Sequence, residues 1–412
     1  MRRIKPNKKF IYLDHAATTP LDPKVEQEMR LFWSEKFQNP SSIYGGGLET
    51  RKAVENARKH IADILHCSSS EVVFTPGGTA SDNLAVLGIA RAYAGGGKKH
   101  IIVSSIEHEA VLEPARQLEK DGFSVTFLKI DKNGLVDPRD VKKALRPDTI
   151  FVSVMYANNE IGTIQPIREI AKTIRDFRKI RNPQSARLAE TASRGWAIRN
   201  PELPYFHTDA CQAANYLNLN VQKLGVDLMT LNGSKIYGPK MSGMLYVKSG
   251  VRLKPIVFGG GQEKGLWSGT ENVPGIVGFA RALEIVEKLK SKEVARLTKL
   301  RDYFIGKLQN EIKGVVLNGD PARRLPNNIH ISVSDVEGEV LVLYLDGVRV
   351  ETAVGSACTA QSSKPSHVLT ALGLSPKKAR ESLRMTLGRN TSKKNCDDVV
   401  EEMKKAIKLL RH

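Results

Sequence analysis

Short apolar runs alternate with stretches of helical period in the first part of the chain. Six of these runs are long enough to be strands, and they cover residues 100–105, 124–130, 149–156, 205–210, 226–231 and 243–248. Between several of them, as at 109–120 and 166–180, apolar residues recur with the period of an amphipathic helix. Nearly continuous apolar strands that alternate with helices are typical of parallel sheets covered on both faces. The pattern therefore predicts an α/β fold.

The pattern changes from about residue 273 onward. Two long helical stretches, 273–291 and 293–313, lead to the β-like runs NNIHISVS, VRVETAV and SLRMTLG and then to a last helix. One face of that helix carries an apolar stripe, which is formed by Val399, Val400, Met403, Ile407 and Leu410. This part of the sequence predicts a smaller α+β unit.

Residues 182–204 separate a predicted helix from the strand at 205–210. A connection between a helix and a strand usually takes about 2–6 residues, and this one is far longer and contains three prolines. The segment is either a surface excursion or a contact element, and the sequence leaves both interpretations open.

The composition is that of a globular protein. Of 412 residues, 41% are hydrophobic and 26% are charged, which is ordinary for this class. Basic residues exceed acidic ones by 63 to 44, and the resulting charge of +19 suits an acidic protein partner or a nucleic acid. Because these residues are spread along helical faces, as in VKKAL and MKKAIKLLRH, solvated surfaces explain them better. We do not expect direct nucleic-acid binding.

The four cysteines, Cys67, Cys211, Cys358 and Cys396, are far apart and form no C-x-x-C motif. They predict neither a disulfide framework nor a zinc ribbon, and we expect no metal site. Unpaired cysteines favour a reducing compartment, the cytoplasm. No apolar run approaches the ~18 residues of a membrane span. The basic residues 1–10 are not followed by the apolar core of a signal peptide.

A single lysine, Lys235, stands in the small and apolar stretch TLNGSKIYGP, directly after the predicted strand at 226–231. Lysine is rarely buried unless it is paired or used chemically. Taken alone, the Asn-Gly pair indicates an ordinary turn with an exposed ammonium group. A chemical role for Lys235 depends on the other motifs of the chain.

Four further stretches place polar residues at strand ends or at a helix start. In TPGGTASDN a glycine-rich turn opens a helix, where free N–H groups and the helix dipole favour a phosphate. His108, residues 158–160 in MYANNEIG, and Asp209 in HTDACQ each follow an apolar run. The carboxyl ends of parallel strands are where such folds bind ligands.

One ligand suits all of these groups. The turn at 77–79 would hold a phosphate, Asp209 would pair with a protonated ring nitrogen, and the Lys235 amine would condense with an aldehyde. Pyridoxal 5'-phosphate has all three features, and a lysine Schiff base with an acidic pyridinium partner is its usual protein environment. The sequence thus predicts this cofactor, with Lys235 as a reactant.

Seven motifs occur in the order found in cysteine desulfurases of the NifS/IscS type: YLDHAATTP, NNEIG, TDACQ, SKIYGPK, GGGQEKGLWSGTENV, GSACTA and SLRMTLGR. The resemblance runs from about residue 11 to the C-terminus, apart from 182–204. These are fold-type I pyridoxal phosphate enzymes of the class V aminotransferase family. The resemblance implies a large cofactor-binding domain, 14–262, with a mostly parallel seven-stranded sheet. It also implies a small α+β domain, 1–13 and 263–412, that carries the catalytic-cysteine loop.

For the cofactor, the resemblance assigns Lys235 to the Schiff base, Asp209 to the ring nitrogen and His108 to stacking and proton transfer at the ring. It implies further contacts with the ring hydroxyl, the phosphate and the groups around the lysine: Asn158 and Gln212, Gly78 and Thr79, and Asn232 and Ser234. Thr270 matches a threonine that reaches the phosphate of the partner subunit. A homodimer is therefore expected.

For the substrate L-cysteine, the resemblance implies that Arg384 binds the α-carboxylate bidentately and that Asn39 makes a weaker contact. Cys358, in the polar stretch AVGSACTAQSS, matches the nucleophile that takes the sulfur as a persulfide and leaves L-alanine. The spacing from Cys358 to Arg384 resembles the class that hands sulfur to acceptor proteins, for iron-sulfur cluster assembly or tRNA thiolation. A selenocysteine lyase, another fold-type I enzyme and a non-catalytic adaptor on this fold remain alternatives.

Two of the motifs depart from the family pattern. Family members usually carry S-x-H-K around the lysine, whereas Asn232 and Ser234 stand at the Ser and His positions here. A possible imidazolium charge is lost, although an amide and a hydroxyl can still donate hydrogen bonds. Ala80 stands where the family usually has an acidic residue after the phosphate turn.

Overall fold

The helices and strands of the protein follow the alternation expected from the sequence. The computed structural model describes residues 10–97, 99–181, 203–355 and 365–411. In these ranges the strands are β1 (Ile11–Tyr12), β2 (Val72–Thr75), β3 (His100–Ser104), β4 (Ser124–Leu128), β5 (Thr149–Ser153), β6 (Tyr205–Asp209), β7 (Leu228–Asn232), β8 (Gly243–Val247), β9 (Val315–Leu317), β10 (Asn328–Val333), β11 (Val350–Glu351) and β12 (Ser382–Thr386).

The helices in the same ranges are α1 (Pro23–Ser34), α2 (Gly45–Leu65), α3 (Gly78–Tyr93), α4 (Glu109–Lys120), α5 (Pro138–Ala144), α6 (Ile167–Arg181), α7 (Val221–Leu224), α8 (Val273–Glu311), α9 (Gly338–Gly347), α10 (His367–Ala371), α11 (Pro376–Arg380) and α12 (Lys393–Leu410). Local signals in the sequence explain several helix starts. Asp22 caps α1 by accepting from Lys24 N at 2.9 Å, and Pro23 follows it. Ser392 and Asn395 form a capping box at the start of α12.

The central sheet has seven strands in the order β2-β8-β7-β6-β5-β3-β4. Strands β4, β3, β5, β6 and β7 are parallel to one another, whereas β8 runs antiparallel to both β7 and β2. This confirms the predicted α/β fold with a mostly parallel seven-stranded sheet. Because parallel strands need crossover connections, helices cover both faces.

Alternate residues of the central strands enter different hydrophobic clusters. Phe206 and Met229 belong to the cluster shared with α1, α2, α6 and the first half of α8. Tyr205 and Leu228 belong to the cluster shared with α3 and α4. Side chains two residues apart share a face, so His207 and Asp209 lie with Tyr205 on the face covered by α3.

The helical pattern after residue 273 forms one continuous helix, α8, of 39 residues. The two separate helices expected at 273–291 and 293–313 were a wrong prediction. No glycine or proline stands between Gly278 and Gly306 to end the first helix, and the pair Glu284–Lys288 supports it at 2.6 Å across one turn. The two ends of α8 pack in different clusters and join them.

The C-terminal part contains an antiparallel sheet in the order β12-β10-β9 and a two-stranded parallel pair of β1 with β11. Phe304, Ile329, Leu383 and Val400 are among the residues of its separate hydrophobic cluster. The predicted stripe of α12 lies there, with Leu410 only partly buried. The domain boundaries themselves stay a prediction. No helix in the described ranges is long and apolar enough to span a bilayer.

Candidate active site

The carboxyl ends of the parallel strands border a cavity of about 250 Å³. Its wall brings together side chains and backbone that the sequence predicted to act on one ligand: Gly78, Thr79, His108, Asp209, Gln212, Asn232, Lys235 and Arg384. Arg384 comes from β12, whereas Gly78 and Asp209 come from α3 and β6. Both parts of the fold therefore contribute to the same cavity.

Lys235 lies in a single 3₁₀ turn, Gly233–Lys235, that directly follows β7. A Cβ at Gly233 would collide with the Ser242 hydroxyl and with the Pro239 carbonyl, so the turn can pack this tightly only with glycine. Lys235 Nζ donates to the carbonyl of Ala17. The Asn-Gly pair thus makes a packed turn that aims the lysine into the cavity, and the interpretation as an exposed surface turn is wrong.

The glycine-rich turn forms the start of α3, which begins at Gly78. A Cβ at Gly78 would lie 2.9 Å from Cys211 Sγ and 3.4 Å from Asn232 Nδ2, so a side chain at this position would fill the space beside the turn. The first N–H groups of a helix have no partner within the helix and meet the positive end of its dipole. The turn is therefore shaped to hold a phosphate.

Asp209 ends β6 and is 7% exposed. Its Oδ1 accepts from Cys211 N at 2.9 Å. Burial, followed by the charge of Asp209, raises the pKa of the Cys211 thiol well above its usual range. A buried thiol of this kind is a weak nucleophile, which argues against Cys211 as the sulfur acceptor.

His108 caps α4, where its Nδ1 accepts from Ala110 N at 3.1 Å. A neutral ring with Nδ1 as acceptor carries its proton on Nε2. The ring also lines the cavity. The helix cap therefore fixes both the position and the tautomer of His108.

Asn158 does not bring its side chain into the cavity. It is 0% exposed, its Nδ2 donates to Ile106 O at 3.0 Å, and its Oδ1 accepts from Glu160 N and Ile161 N at 2.9 Å. The amide therefore holds the loop together, and the structure does not support direct contact with the ring hydroxyl. The neighbouring Asn159 and Gln212 line the cavity instead.

Arg384 is 1% exposed and joins the cavity to the N-terminal strand. Its Nη2 donates to Asp14 Oδ1 at 2.7 Å, and its Nη1 donates to Asn159 O at 3.1 Å. Its Nε has no hydrogen-bond partner. Asp14 is a part of this site that the sequence analysis missed, although YLDHAATTP contains it. Asn159 was expected near the site as one of residues 158–160, but without a role of its own.

The remaining predicted residues lie elsewhere. Asn39 is exposed, and its Oδ1 accepts from Ser41 N at 2.8 Å. Thr270 lines a second cavity, of about 260 Å³, together with Met241 and Trp267. Ser234 does not line the first cavity but donates its hydroxyl to Asn232 Oδ1 at 2.8 Å.

Cys358 and most of the segment 182–204 lie outside the described residues. Cys67, Cys211 and Cys396 are free thiols. Among the described side chains, no group of three His, Cys, Asp or Glu is placed to hold a metal ion.

The residues present fit pyridoxal phosphate. One cavity contains a lysine amine, a carboxylate at a strand end and a helix start that would hold a phosphate. Because residue 78 is glycine, no side chain occupies the space beside the phosphate turn. These are the three kinds of group that the cofactor requires of a protein.

Comparison with known proteins gives the class of protein. Residues 11–181 and 197–399 match the family described as aminotransferase class-V, so the chain belongs to this family. Residues 182–196, in the long connection, fall outside the match. A cysteine desulfurase IscS from Dictyoglomus turgidum is 46% identical over 98% of this chain and 96% of its own length. The chain is thus a member of the NifS/IscS type within the family.

Two solved structures are similar over nearly the whole chain. A NifS-like protein is 32% identical, with a TM-score of 0.86, and the match covers 97% of this chain and 100% of that one. SspA in complex with cysteine is 34% identical, with a TM-score of 0.77, and the match covers 92% of this chain and 98% of that one. The fold and the family therefore agree.

Proposed function

We propose that the protein is a pyridoxal phosphate-dependent cysteine desulfurase that converts L-cysteine to L-alanine and keeps the sulfur as a persulfide on Cys358. One observation carries the proposal: a single cavity contains Lys235, Asp209, the start of α3 and Arg384. The similarity to SspA in complex with cysteine supports L-cysteine as the substrate.

The cavity offers a group for each polar part of the cofactor. Lys235 Nζ would bind the aldehyde carbon, Asp209 would accept a hydrogen bond from the ring nitrogen, and the N–H groups at the start of α3 would hold the phosphate. Asn232, oriented by Ser234, adds its Nδ2 beside the phosphate turn. When bound, the cofactor supplies an electron sink for negative charge at the substrate Cα.

The chain's own groups then perform the proton and sulfur steps. Arg384 binds the substrate carboxylate, and Asp14 keeps the guanidinium oriented at 2.7 Å. The Lys235 amine, which lines the same cavity, would take the proton from Cα. His108 lines the same cavity and places its Nε2 proton for transfer to the departing side of the substrate.

Cys358 completes the reaction as the nucleophile. Its thiolate attacks the substrate sulfur, so the C–S bond of the substrate breaks and an S–S bond forms on the protein. The carbon that loses sulfur gains a proton, Lys235 returns a proton to Cα, and L-alanine leaves. The persulfide then passes to an acceptor protein, for cluster assembly or tRNA thiolation.

Exposed apolar side chains support a homodimer. Met241, Phe258 and Ile43 are 71%, 77% and 89% exposed. Met241 borders the second cavity beside Thr270, so a second copy that covers these side chains would bring its phosphate toward Thr270. The free cysteines of the described ranges favour the cytoplasm as the location.

The test is an assay of the purified protein with added cofactor on L-cysteine and L-selenocysteine, with alanine, sulfide and keto acid measured. We expect alanine and sulfide from cysteine and no keto acid. Lys235→Ala should remove both the absorbance of the lysine-bound cofactor and the alanine. Alanine formed from selenocysteine but not from cysteine, or formed by Lys235→Ala, contradicts the proposal.

A further inference from the structure

Asp82 is a buried carboxyl group in the wall of the active-site cavity that the reaction as described does not use. It lies on α3, one turn after the phosphate turn, and is 1% exposed. It lines the same cavity as Asp209. Its Oδ1 has no hydrogen-bond partner. An orphaned carboxyl oxygen at this depth requires an explanation, because a buried charge without a partner is costly.

The ion pair recorded for Asp82 within the described ranges is with a histidine, whereas the cations of the same cavity wall, Lys235 and Arg384, have no recorded ion pair with it. Among the described residues, the basic group recorded within 4 Å of its carboxyl is His207, at 3.6 Å from Nε2 to Oδ1. The His207 ring is fully buried and bonds Ser153 Oγ at 2.9 Å and Thr230 Oγ1 at 3.0 Å. Burial lowers the pKa of His207 to about 3, so this ring is neutral at physiological pH.

Two other carboxyl groups, those of Asp209 and Glu107, act electrostatically on Asp82. Asp209 and His207 project from β6 onto the sheet face that α3 covers. The Ser153 hydroxyl contacts both the His207 ring and the Glu107 carboxyl group. The other titratable groups of the cavity wall are His108, Cys211, Lys235 and Arg384. Two carboxyl groups that share a buried site cannot both ionise readily.

We propose that Asp82 and Asp209 together carry one negative charge, with the proton on Asp82, and that Asp82 thereby fixes the charge that faces the ring nitrogen. Asp209 is the ionised member because its Oδ1 accepts the Cys211 N–H, whereas Oδ1 of Asp82 accepts nothing. Burial, followed by the charge of Asp209, also raises the pKa of Asp82 well above its usual range, although a hydrogen bond from Thr230 opposes the shift.

The proposal makes Asp82 a positioning residue. A protonated Asp82 leaves a single carboxylate, Asp209, opposite a ring cation, so the two charges match. The ring-nitrogen part of this inference rests on the proposed function, whereas the shared proton does not. The two parts can therefore fail separately.

Infrared difference spectroscopy tests the shared proton directly. The full-length protein, with its aspartates carrying ¹³C in the side-chain carboxyl group, is compared at pH 7 with Asp82→Asn, both with cofactor bound and after its removal. We expect a carbonyl stretch of a protonated carboxylic acid that shifts with the label and is missing in Asp82→Asn. The matched control is Asp227→Asn, because Asp227 is equally buried but is paired with Arg178 and should contribute no such band.

Cofactor affinity gives a second readout. A neutral amide replaces a neutral acid in Asp82→Asn, so the dissociation constant at pH 7 should stay within about threefold of the parent protein. If Asp82 were ionised, the change would remove one of two negative charges near the ring cation, and the affinity should fall about tenfold or more. A tenfold fall in cofactor affinity in a folded Asp82→Asn variant overturns the proposal. The absence of the labelled band from the parent protein overturns it as well.

If Asp82→Asn does not fold, the labelled parent protein alone decides whether the proton is present. Its aspartate band must then be present at pH 7 and disappear as the pH rises. If the protein binds no pyridoxal phosphate at all, the proposed function fails, and the band in the cofactor-free protein still decides whether the proton is shared.

Discussion

Asn232 and Ser234 stand where the family resemblance predicts a serine and a histidine, and hydrogen bonds join them. Ser234 donates both its N–H and its hydroxyl to Asn232 Oδ1, at 2.8 Å each. These bonds leave Nδ2 of Asn232 directed toward the start of α3. The hydroxyl therefore acts on the phosphate turn through the amide, and this indirect role could not be predicted from the sequence.

Asn232→Ala should weaken pyridoxal phosphate binding. A hydrogen bond to a charged group contributes roughly 1.5–3 kcal/mol, so we expect a dissociation constant about tenfold higher or more, measured by fluorescence titration of the cofactor-free protein. Ser234→Ala is the matched control, because the backbone N–H still orients Asn232. It should cost less. Equal losses in the two variants would contradict this division of roles.

Glu107 makes a pH-dependent contribution to stability. Burial raises its pKa from the ordinary 4.5 to about 7, while Ser104 and Met155 N oppose the shift. The folded state therefore holds this proton up to about pH 7, whereas the unfolded state loses it near pH 4.5. The contribution is complete below pH 4.5 and is lost as the pH rises through 7.

Glu107→Gln should remove this part of the pH dependence. The amide copies the protonated acid, since Oε1 accepts from Ser104 and Met155 while the other atom faces Ser153. The free energy of unfolding of the variant, relative to the parent, should rise by up to about 3 kcal/mol between pH 4.5 and pH 7.5. Urea unfolding at both pH values measures it. Parallel changes in the two proteins would show that Glu107 does not titrate in this range.

Residue-level prediction succeeded where the chemistry is specified by residue type and position along the chain. Lys235, Asp209 and Arg384 all line one cavity, as expected from strand ends and motifs. It did not anticipate that hydrogen bonds within the loop keep the Asn158 amide out of the cavity, which Asn159 lines instead. Asp82 was missed because its environment depends on which sheet face α3 covers.

At the scale of elements, α8 shows that a local sequence pattern does not always predict where a helix ends. The sequence analysis divided it near Ser291, where the apolar spacing weakens, but no residue there stops a helix. The long helix is stable because its two halves pack against different clusters. Such support is tertiary and is not visible in a local window.

The segment 182–204 joins the fold at the end of β6 that is farther from the cavity. Tyr205 begins the strand and Asp209 ends it, so about 13 Å of strand separates them at about 3.3 Å per residue. Arg178 holds the junction through Pro204 O at 3.0 Å and through Asp227. The end of the segment next to β6 is therefore held to α6 by Arg178.

Replacing residues 184–201 by a short Gly-Ser link should leave cysteine turnover within about twofold, because long surface connections add little closure cost. Sulfur transfer to an acceptor protein should fall if the segment is a contact element. Steady-state alanine formation and transfer of labelled sulfur measure the two effects. Loss of turnover with cofactor binding intact would place the segment near an active site instead.

For the whole molecule, the main prediction concerns the dimer. Met241→Asp should shift the protein toward monomers, because it places a charge on an apolar surface that we expect a second copy to cover. Cofactor affinity should fall as well, since Thr270 would no longer reach the partner's phosphate. Leu343→Asp is the control, with the same exposure of 71% on α9. Analytical ultracentrifugation that finds equal masses for both variants would contradict the predicted interface.

The central claim is that Lys235 and Cys358 convert cysteine to alanine and a protein persulfide. Intact mass spectrometry, followed by peptide mapping, should find one added sulfur atom on Cys358 after brief exposure to L-cysteine. Cys358→Ser should bind cofactor and cysteine but gain no sulfur, and Lys235→Ala should gain none either. A persulfide on Cys211, or sulfur gained by Lys235→Ala, would contradict the account.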